Sequence, residues 1–546
     1  MLIRIFFLCV YQHEALASRA RNQQELDQEI PPKRGIIYIQ EKGGLFNPLA
    51  TNREYQKIFL VPKEVVNKEE AAQQLADILK IDREEILIKL QDSDSQYKPI
   101  KSKVDNETSQ AVKNLKIKGV YFEKEQWRWY PQDNLASHVL GFVGIKDYQK
   151  QGLYGLEGYY DTELAGVSGQ LKSQKDALGR WLLLGDYDLA PAQDGADIYL
   201  TLDQNVQYTA EQKLKDVVEK WGAIGGSVIV MEPKTGAIRA MASLPDFNPN
   251  EYNKIENIDN FLNPCVQKLY EPGSIFKPIT MAAALDSGKA TPETSYTDTG
   301  SVTLNGYTIT NAQNKSYGLS TMTNVLEKSI NTGVVYAEHL MGPDIFKKYI
   351  EAFGFYKRTD IDLMGEIVSN LSGLKDSREI NFATAAFGQG IAVTPLQIAT
   401  AISAIANDGK LMRPYIVEKI VDQDGREDLI GPQVVAQVIR PQSAGQLTAM
   451  LVSTVRNGYD KIKMDDYFVA GKTGTAQIPN EDKRGYNPDD TIHSFVGYAP
   501  AYDPKFLIFL KVDKPHGINF ASESLAPVFA DLTRYLLNYY EIPPEQ

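Results

Sequence analysis

Apolar and polar positions change register several times along this chain, and each change marks a predicted element. Residues 2–10 (LIRIFFLCV) are almost continuously apolar, interrupted by Arg4. That run is about half of the roughly 20 residues a membrane helix needs. It is read as the last turns of a membrane anchor whose beginning lies outside this sequence, a partial anchor over residues 1–20. Residues 11–29 are polar and helix-prone until Pro31-Pro32, which cannot continue a helix interior. Residues 34–40 (RGIIYIQ) gather β-branched and aromatic side chains and predict a strand. Residues 63–91 carry Glu, Lys, Ala and Leu at helical spacing, with Asp82 a cap between two short helices. Residues 119–130 and 196–202 are expected to be extended.

A second pattern begins near Thr201. Residues 203–218 predict a helix, and residues 225–232 (GGSVIVME) a short buried strand. Pro233-Lys234-Thr235-Gly236 makes a turn, and residues 237–243 return as the second strand of a hairpin. A long, mostly helical middle follows. Strand patterns resume at residues 467–477, 493–498 and 505–512, and an amphipathic helix covers residues 525–540. Strands at both ends of a domain with helices between them imply one antiparallel sheet covered by helices. The expected fold class is α+β, with a mixed α+β module over residues 21–200 and the sheet domain over 201–546.

Composition narrows the function. The 546 residues allow two or three domains with sizeable cores, and 43% hydrophobic with 23% charged residues is a globular mixture. A net charge of -12 without any Lys/Arg run argues against a nucleic-acid partner. Cys9 and Cys265 make no disulfide framework. His13, His138, His339, His493 and His516 show no ligand spacing, so no structural metal is expected.

Three short motifs carry chemistry. Ser274-Ile275-Phe276-Lys277 follows Glu271-Pro272-Gly273 at the start of an apolar, Ala-rich run. Residues three apart share a helix face, so the Ser274 hydroxyl and the Lys277 amine can meet. Serine is a weak nucleophile until a base takes its proton, and a buried lysine beside a second cation can be that base. In Ser329-Ile330-Asn331 the hydroxyl could relay a proton and the amide could hold a substrate carbonyl. In Lys472-Thr473-Gly474-Thr475 the lysine supplies positive charge, and Gly474 lets a substrate backbone approach a strand closely. Each triplet alone is equally an ordinary cap, turn or strand. Gly471-Lys472-Thr473 also resembles the end of a phosphate-binding loop, but that motif needs glycine where Asp466 stands. No Ser-His-Asp nucleophile elbow is recognisable.

Taken together and in this order, Ser-x-x-Lys, Ser-x-Asn and Lys-Thr-Gly resemble the signature of penicillin-binding proteins and serine β-lactamases. The likeness extends to Glu271-Pro272-Gly273-Ser274-Ile275-Phe276-Lys277-Pro278, to residues 231–250, and to Phe387-Gly388-Gln389-Gly390 with Thr394-Pro395-Leu396-Gln397. Arg34-Gly35-Ile36-Ile37, residues 135–141 and Gly155-Leu156-Glu157 resemble the N-terminal pedestal of class B members. The roughly 200 residues before Thr201 leave no room for the glycosyltransferase domain of class A. Residues 470–476, 494–500 and 525–529 look more like the division (septal) branch than the elongation branch. Residues 39–44 (IQEKGG) depart from the Asp-Arg-Asn-Gly that relatives usually show after this strand.

The resemblance implies a penicillin-binding transpeptidase or serine β-lactamase-like fold behind a pedestal. It implies a D-Ala-D-Ala transpeptidase that cross-links cell-wall stem peptides through a serine acyl-enzyme and is inhibited by β-lactams. Ser274 would be the nucleophile, Lys277 its base, Ser329 with Lys472 the proton return, and Asn331 the holder of the donor peptide. Backbone N–H groups of Ser274 and Thr475 would form the oxyanion hole. Thr473 and Thr475, on either side of Gly474, would bind the substrate carboxylate. No metal or organic cofactor is implied. Partners would be stem peptides, β-lactams, the lipid bilayer, and glycosyltransferase and divisome or elongasome proteins. The catalytic domain would stand outside a bacterial inner membrane on a single-pass anchor. A β-lactamase, a D,D-carboxypeptidase, and a non-catalytic division scaffold or β-lactam sensor remain alternatives at this point.

Overall fold

The structure, a computed structural model, describes residues 25–147, 149–174, 188–480 and 485–545. The expected anchor, Cys9 and most of the helix-prone stretch before Pro31 lie outside the described residues. Among the described residues no helix is long and apolar enough to cross a membrane. The chain forms two compact units that interleave in sequence. One comprises Met1–Ile36, Ala50–Pro131 and Thr162–Ala196, and the other Ile37–Leu49, Gln132–Asp161 and Asp197–Gln546.

In the first unit, strands Lys98–Val104 and Val120–Trp129 pair antiparallel with the residues of Leu45–Leu60 between them. Ile58, Leu60, Ile100 and Val104 pack on helices Lys68–Leu79, Arg83–Gln91 and Asn106–Asn114. Asp82 caps the second helix as expected, accepting the Glu84 N–H at 2.9 Å. The helical expectation fails at its end, because Glu25–Ile30 is a strand paired antiparallel with Gly169–Gln174. Local propensity cannot nucleate one isolated turn, whereas a partner strand satisfies every second backbone group at once.

The second unit holds the core that positions the chemistry. Asp203 caps helix α1 (Gln204–Lys220), accepting the N–H groups of Asn205 and Val206, both at 3.0 Å. Strands β1 (Gly225–Met231) and β2 (Ile238–Leu244) form the expected hairpin. Helices α2 (Lys277–Asp286), α3 (Asn331–Met341), α4 (Pro395–Ala406) and α5 (Pro441–Gly458) are among the helices of the middle. Strands β3 (Ala470–Pro479), β4 (Tyr486–Ala499) and β5 (Phe506–Asp513) then complete the sheet, and α6 (Ala526–Tyr539) closes the unit. The order is β2-β1-β5-β4-β3, with every neighbouring pair antiparallel.

Helices α1 and α6 bury one face of this sheet through Val206, Leu214, Phe529, Leu532 and Leu536. On α4 every residue is buried, so it runs through the core as an apolar rod. The Thr394 hydroxyl and the Gln397 side chain cap its start reciprocally, which keeps these polar groups satisfied inside. Covered so thoroughly, β1 and β5 are almost wholly buried and are apolar except at Ser227 in β1 and at Lys511 and Asp513 in β5. β3 ends the sheet, and its outer edge is free among the named strands. An edge strand offers a row of backbone donors and acceptors to an extended peptide.

Phe529 is fully buried, with its ring centroid 4.4 Å from that of Phe495. Replacing Phe529 by Ala leaves a void under β4 and is expected to cost about 3–5 kcal/mol. Denaturant titration of the full chain should show the transition of this unit moving to lower denaturant.

Candidate active site

Ser274 stands on one 3₁₀ turn, Gly273–Phe276, that runs directly into α2 at Lys277. The serine is half-buried, and its neighbours on the turn are buried. The Gly273 N–H donates to Gly388 O at 2.9 Å. Gly388 has φ +80, and a Cβ there would lie 2.2 Å from Gly273 O, so only glycine allows the two backbones to touch. The segment Phe387-Gly388-Gln389-Gly390 therefore braces the serine turn from behind.

Lys277 is completely buried, and its ammonium makes three hydrogen bonds: to Ser329 O at 2.6 Å, Ser329 Oγ at 3.2 Å and Asn331 Oδ1 at 2.7 Å. Burial, and then the charge of Lys472, hold its pKa well below the ordinary lysine value. The sequence spacing brings Ser274 and Lys277 onto one turn, but no hydrogen bond joins their side chains in the structure. All three donors of the ammonium are committed to the Ser329–Asn331 segment, and the Ser274 hydroxyl has no hydrogen-bond partner among the described residues.

Ser329 lies between helix Met322–Glu327 and α3 with φ +53. This left-handed conformation is costly for serine and turns the chain sharply enough to present its side chain and carbonyl to one ammonium. Lys472, also fully buried, donates to the same Ser329 Oγ at 3.1 Å. One hydroxyl thus accepts from two lysines.

Lys472 and Gly474 alternate with Thr473 and Thr475 along β3. A Cβ at Gly474 would sit 2.6 Å from Ser494 Oγ and 3.0 Å from both Ile275 Cγ2 and Pro272 O. The absent side chain lets β3 lie against the serine turn. The Thr473 and Thr475 hydroxyls make no direct bond to Lys277 or Ser329. Thr473 Oγ1 is 2.8 Å from Tyr459 OH, and Thr475 Oγ1 accepts the Ala521 N–H at 3.1 Å.

Several residues of this region had no role in the sequence reading. Tyr459, just past α5, accepts from Lys472 Nζ at 3.3 Å and from the Thr473 N–H at 3.2 Å. No local pattern announces it, because its partners lie on β3. Glu271 was noticed only as part of a motif. It accepts the Gly390 N–H at 3.1 Å and the Tyr486 hydroxyl at 3.0 Å, and its burial raises its pKa. Asn331 is held in turn, donating to Thr310 O at 2.9 Å. The next residue, Thr332, donates to buried Asp298 at 2.6 Å, and Asn311 donates to both oxygens of the same carboxylate. Asp298 is an orienting anion that its distance in sequence concealed.

Among the described residues no histidine takes part in this cluster. Burial pushes His138 and His493 each down to about 4, and they hydrogen-bond to Asn260 O and Ser524 Oγ respectively. Among the described residues no group of His, Cys, Asp and Glu is arranged to hold a metal ion.

A serine on a tight turn, a buried lysine with lowered pKa and a hydroxyl shared between two lysines define a site for acyl transfer by a serine with an amine base. Comparison with known proteins agrees. Residues 226–534 match the penicillin binding protein transpeptidase domain, and residues 29–200 match the penicillin-binding protein dimerisation domain. Stage V sporulation protein D of Bacillus subtilis is 35% identical over 550 residues, covering 100% of this chain and 84% of that protein. The probable peptidoglycan D,D-transpeptidase PbpC of Pseudomonas aeruginosa is 30% identical, covering 99% of this chain and 93% of its own. A crystal structure of penicillin binding protein 3 from Mycobacterium tuberculosis complexed with aztreonam superposes with a TM-score of 0.72 at 25% identity, over 95% of this chain and 98% of that one. The chain belongs to the class B penicillin-binding proteins.

Gly474→Ala tests the close approach of β3 to the serine turn. The added methyl must push β3 outward, and a shift of about 1 Å is expected to slow acylation by a fluorescent penicillin about 10²-fold. Melting of the variant should change far less than labelling does.

Proposed function

We propose that this penicillin-binding protein is a peptidoglycan D,D-transpeptidase that works through an acyl-enzyme on Ser274. The observation that carries this reading is Ser329 Oγ, which accepts from Lys277 at 3.2 Å and from Lys472 at 3.1 Å and so joins the three motifs at one atom.

In the first half-reaction Lys277 removes the Ser274 proton. A neutral amine has two N–H groups and a lone pair, so Lys277 must release one of its three acceptors before it can take that proton. Burial and the Lys472 charge both favour the neutral form. Ser274 Oγ then bonds to the carbonyl carbon of the penultimate D-alanine, with the oxyanion facing the N–H groups of Ser274 and Thr475. The C–N bond breaks, and the departing D-alanine takes a proton from the Ser329 hydroxyl. Ser329 recovers one from Lys277, with Lys472 holding its oxygen. In the second half-reaction the amine of a neighbouring stem peptide attacks the Ser274 ester, forms the cross-link and returns the proton to Ser274.

The threonines are suited to the substrate carboxylate. Tyr459 OH already accepts two hydrogen bonds, so its own proton goes to Thr473 Oγ1, and the Thr473 proton is left to donate outward. Thr475 accepts from Ala521 N and likewise retains its proton for a ligand. Asn331 holds the donor amide once the substrate displaces part of its contact with Lys277. A β-lactam acylates the same serine in place of the donor.

The wider assignment follows the same lines. Residues 21–200 serve as pedestal and residues 201–546 as the transpeptidase domain, on a single-pass anchor that keeps the enzyme on the outer side of the inner membrane. The septal branch is favoured by residues 470–476, 494–500 and 525–529, and a glycosyltransferase of the divisome is the expected partner.

Two measurements test this. Intact-protein mass spectrometry after incubation with penicillin should find one stable adduct on the peptide containing Ser274, absent from a Ser274→Ala variant that melts normally. Drug hydrolysed without an adduct would identify a β-lactamase, and intact drug without an adduct a protein that only binds. The pH dependence of acylation tests the base. A neutral Lys277 is required, so the rate should rise with pH and level off once the amine is neutral. Lys472→Ala removes one of the two influences that lower the Lys277 pKa, so the rising limb should move to higher pH. A limb that stays in place or moves to lower pH would remove Lys277 from that role.

A further inference from the structure

A cavity of about 340 Å³ lies beside α3, lined by Thr332 but by none of Ser274, Lys277, Ser329, Asn331 or Lys472. Its volume falls in the range of small-ligand sites. Val302, Leu304 and Val335 supply apolar wall. Tyr296 and Tyr336, whose rings stack with centroids 5.2 Å apart, line another side.

The charged groups of this cavity are uneven. Three carboxylates line it, Asp298, Glu338 and Glu379, against a single histidine, His339, and neither Lys nor Arg. Asp298 is saturated: despite its burial, Thr332, Gly300, Tyr317 and Asn311 donate to it and hold its pKa below the usual carboxylate range. Glu379 Oε1 is 3.5 Å from His339 Nδ1. Glu338 differs. Its residue is 3% exposed, and its carboxyl makes no hydrogen bond or ion pair among the described residues. Burial, and then the neighbouring Glu379, push its pKa up to about 7. Its carboxyl oxygens are not sealed off; they open onto the cavity, where the donors of a ligand can reach them.

We propose that this cavity binds a primary ammonium group carried on an apolar stem, with Glu338 as its counter-ion. An ammonium supplies three donors to a carboxyl that has none, in a site lined by three acidic residues and by neither lysine nor arginine. The apolar walls suit the methylenes of the stem. A lysine-type side chain of a peptide and a free aliphatic diamine share this chemistry. The site stands apart from the acyl-transfer chemistry, so it can be tested independently of Ser274.

Calorimetric titration of the full chain provides the test, with Nα-acetyl-lysine methylamide, 1,5-diaminopentane and the uncharged isostere Nα-acetyl-norleucine methylamide as probes. Millimolar binding is expected for at least one ammonium probe and not for the norleucine amide. Binding of the lysine amide alone assigns the site to a peptide side chain, and binding of the diamine alone to a free polyamine; either supports the proposal. Glu338→Gln keeps the shape and removes the charge, and should weaken binding at least tenfold while leaving acylation of Ser274 by fluorescent penicillin unchanged. Leu304→Trp, which fills the cavity from its apolar side, should abolish binding with Glu338 intact. No binding of either ammonium probe, equal binding of the norleucine amide, or undiminished binding by Glu338→Gln would each overturn the assignment.

Discussion

Two lysine ammoniums buried around one serine hydroxyl form the constraint on which the rest of this site depends. Like charges so close and so dry would repel strongly in a medium of low dielectric. The site tolerates them because Ser329 Oγ accepts from both, while Ser329 O, Asn331 Oδ1, Tyr459 OH and Thr473 O take the remaining donors. The strain is also useful. It favours loss of a proton from Lys277, and a lysine that has lost its proton is a base.

Holding that arrangement requires rigid surroundings on each side. Lys472 comes from the edge strand of a sheet buried under α1, α4 and α6, and Lys277 from the first residue of a helix buried at every position but its last, Asp286. Ser329 is bent into a left-handed conformation between two helices, and Asn331 is tied through Thr310, with Thr332 beside it tied to Asp298. The serine turn is braced by Gly388 behind it and meets β3 at Gly474. Among the described residues the Ser274 hydroxyl is left without a hydrogen-bond partner, which suits its proposed role as the group that meets the substrate.

Much of this was legible in the sequence because it depends on local patterns. The hairpin of β1 and β2, the closing strands β3 to β5 and helix α6 follow from hydrophobic periodicity and turn residues. Asp82 and Asp203 announce helix starts because a cap acts on N–H groups two or three residues away. The strand at Glu25–Ile30 looks helical in sequence because its partner lies more than a hundred residues further on. Glu271 is hidden in the same way, its partners Gly390 and Tyr486 being 119 and 215 residues away, whereas Tyr459 and Asp298 lie only 13 to 34 residues from partners that stand on other elements.

The sequence by itself determined which side chains are available for chemistry, the order of the three motifs and the alternation that sets Lys472 and Gly474 against Thr473 and Thr475. These are properties of neighbours along one chain, and helix and strand periodicities express them directly. Only the tertiary structure decided that Lys277 turns its three donors toward Ser329 and Asn331, that Lys472 reaches the same hydroxyl, and that Glu338 is left facing a cavity without a partner. Burial and charge proximity act through space: the hydrogen bonds to Ser329 span 52 and 143 residues of chain, and the two lysine charges are farther apart still in sequence. The chemistry of the lysines follows from that proximity and from the exclusion of water around them.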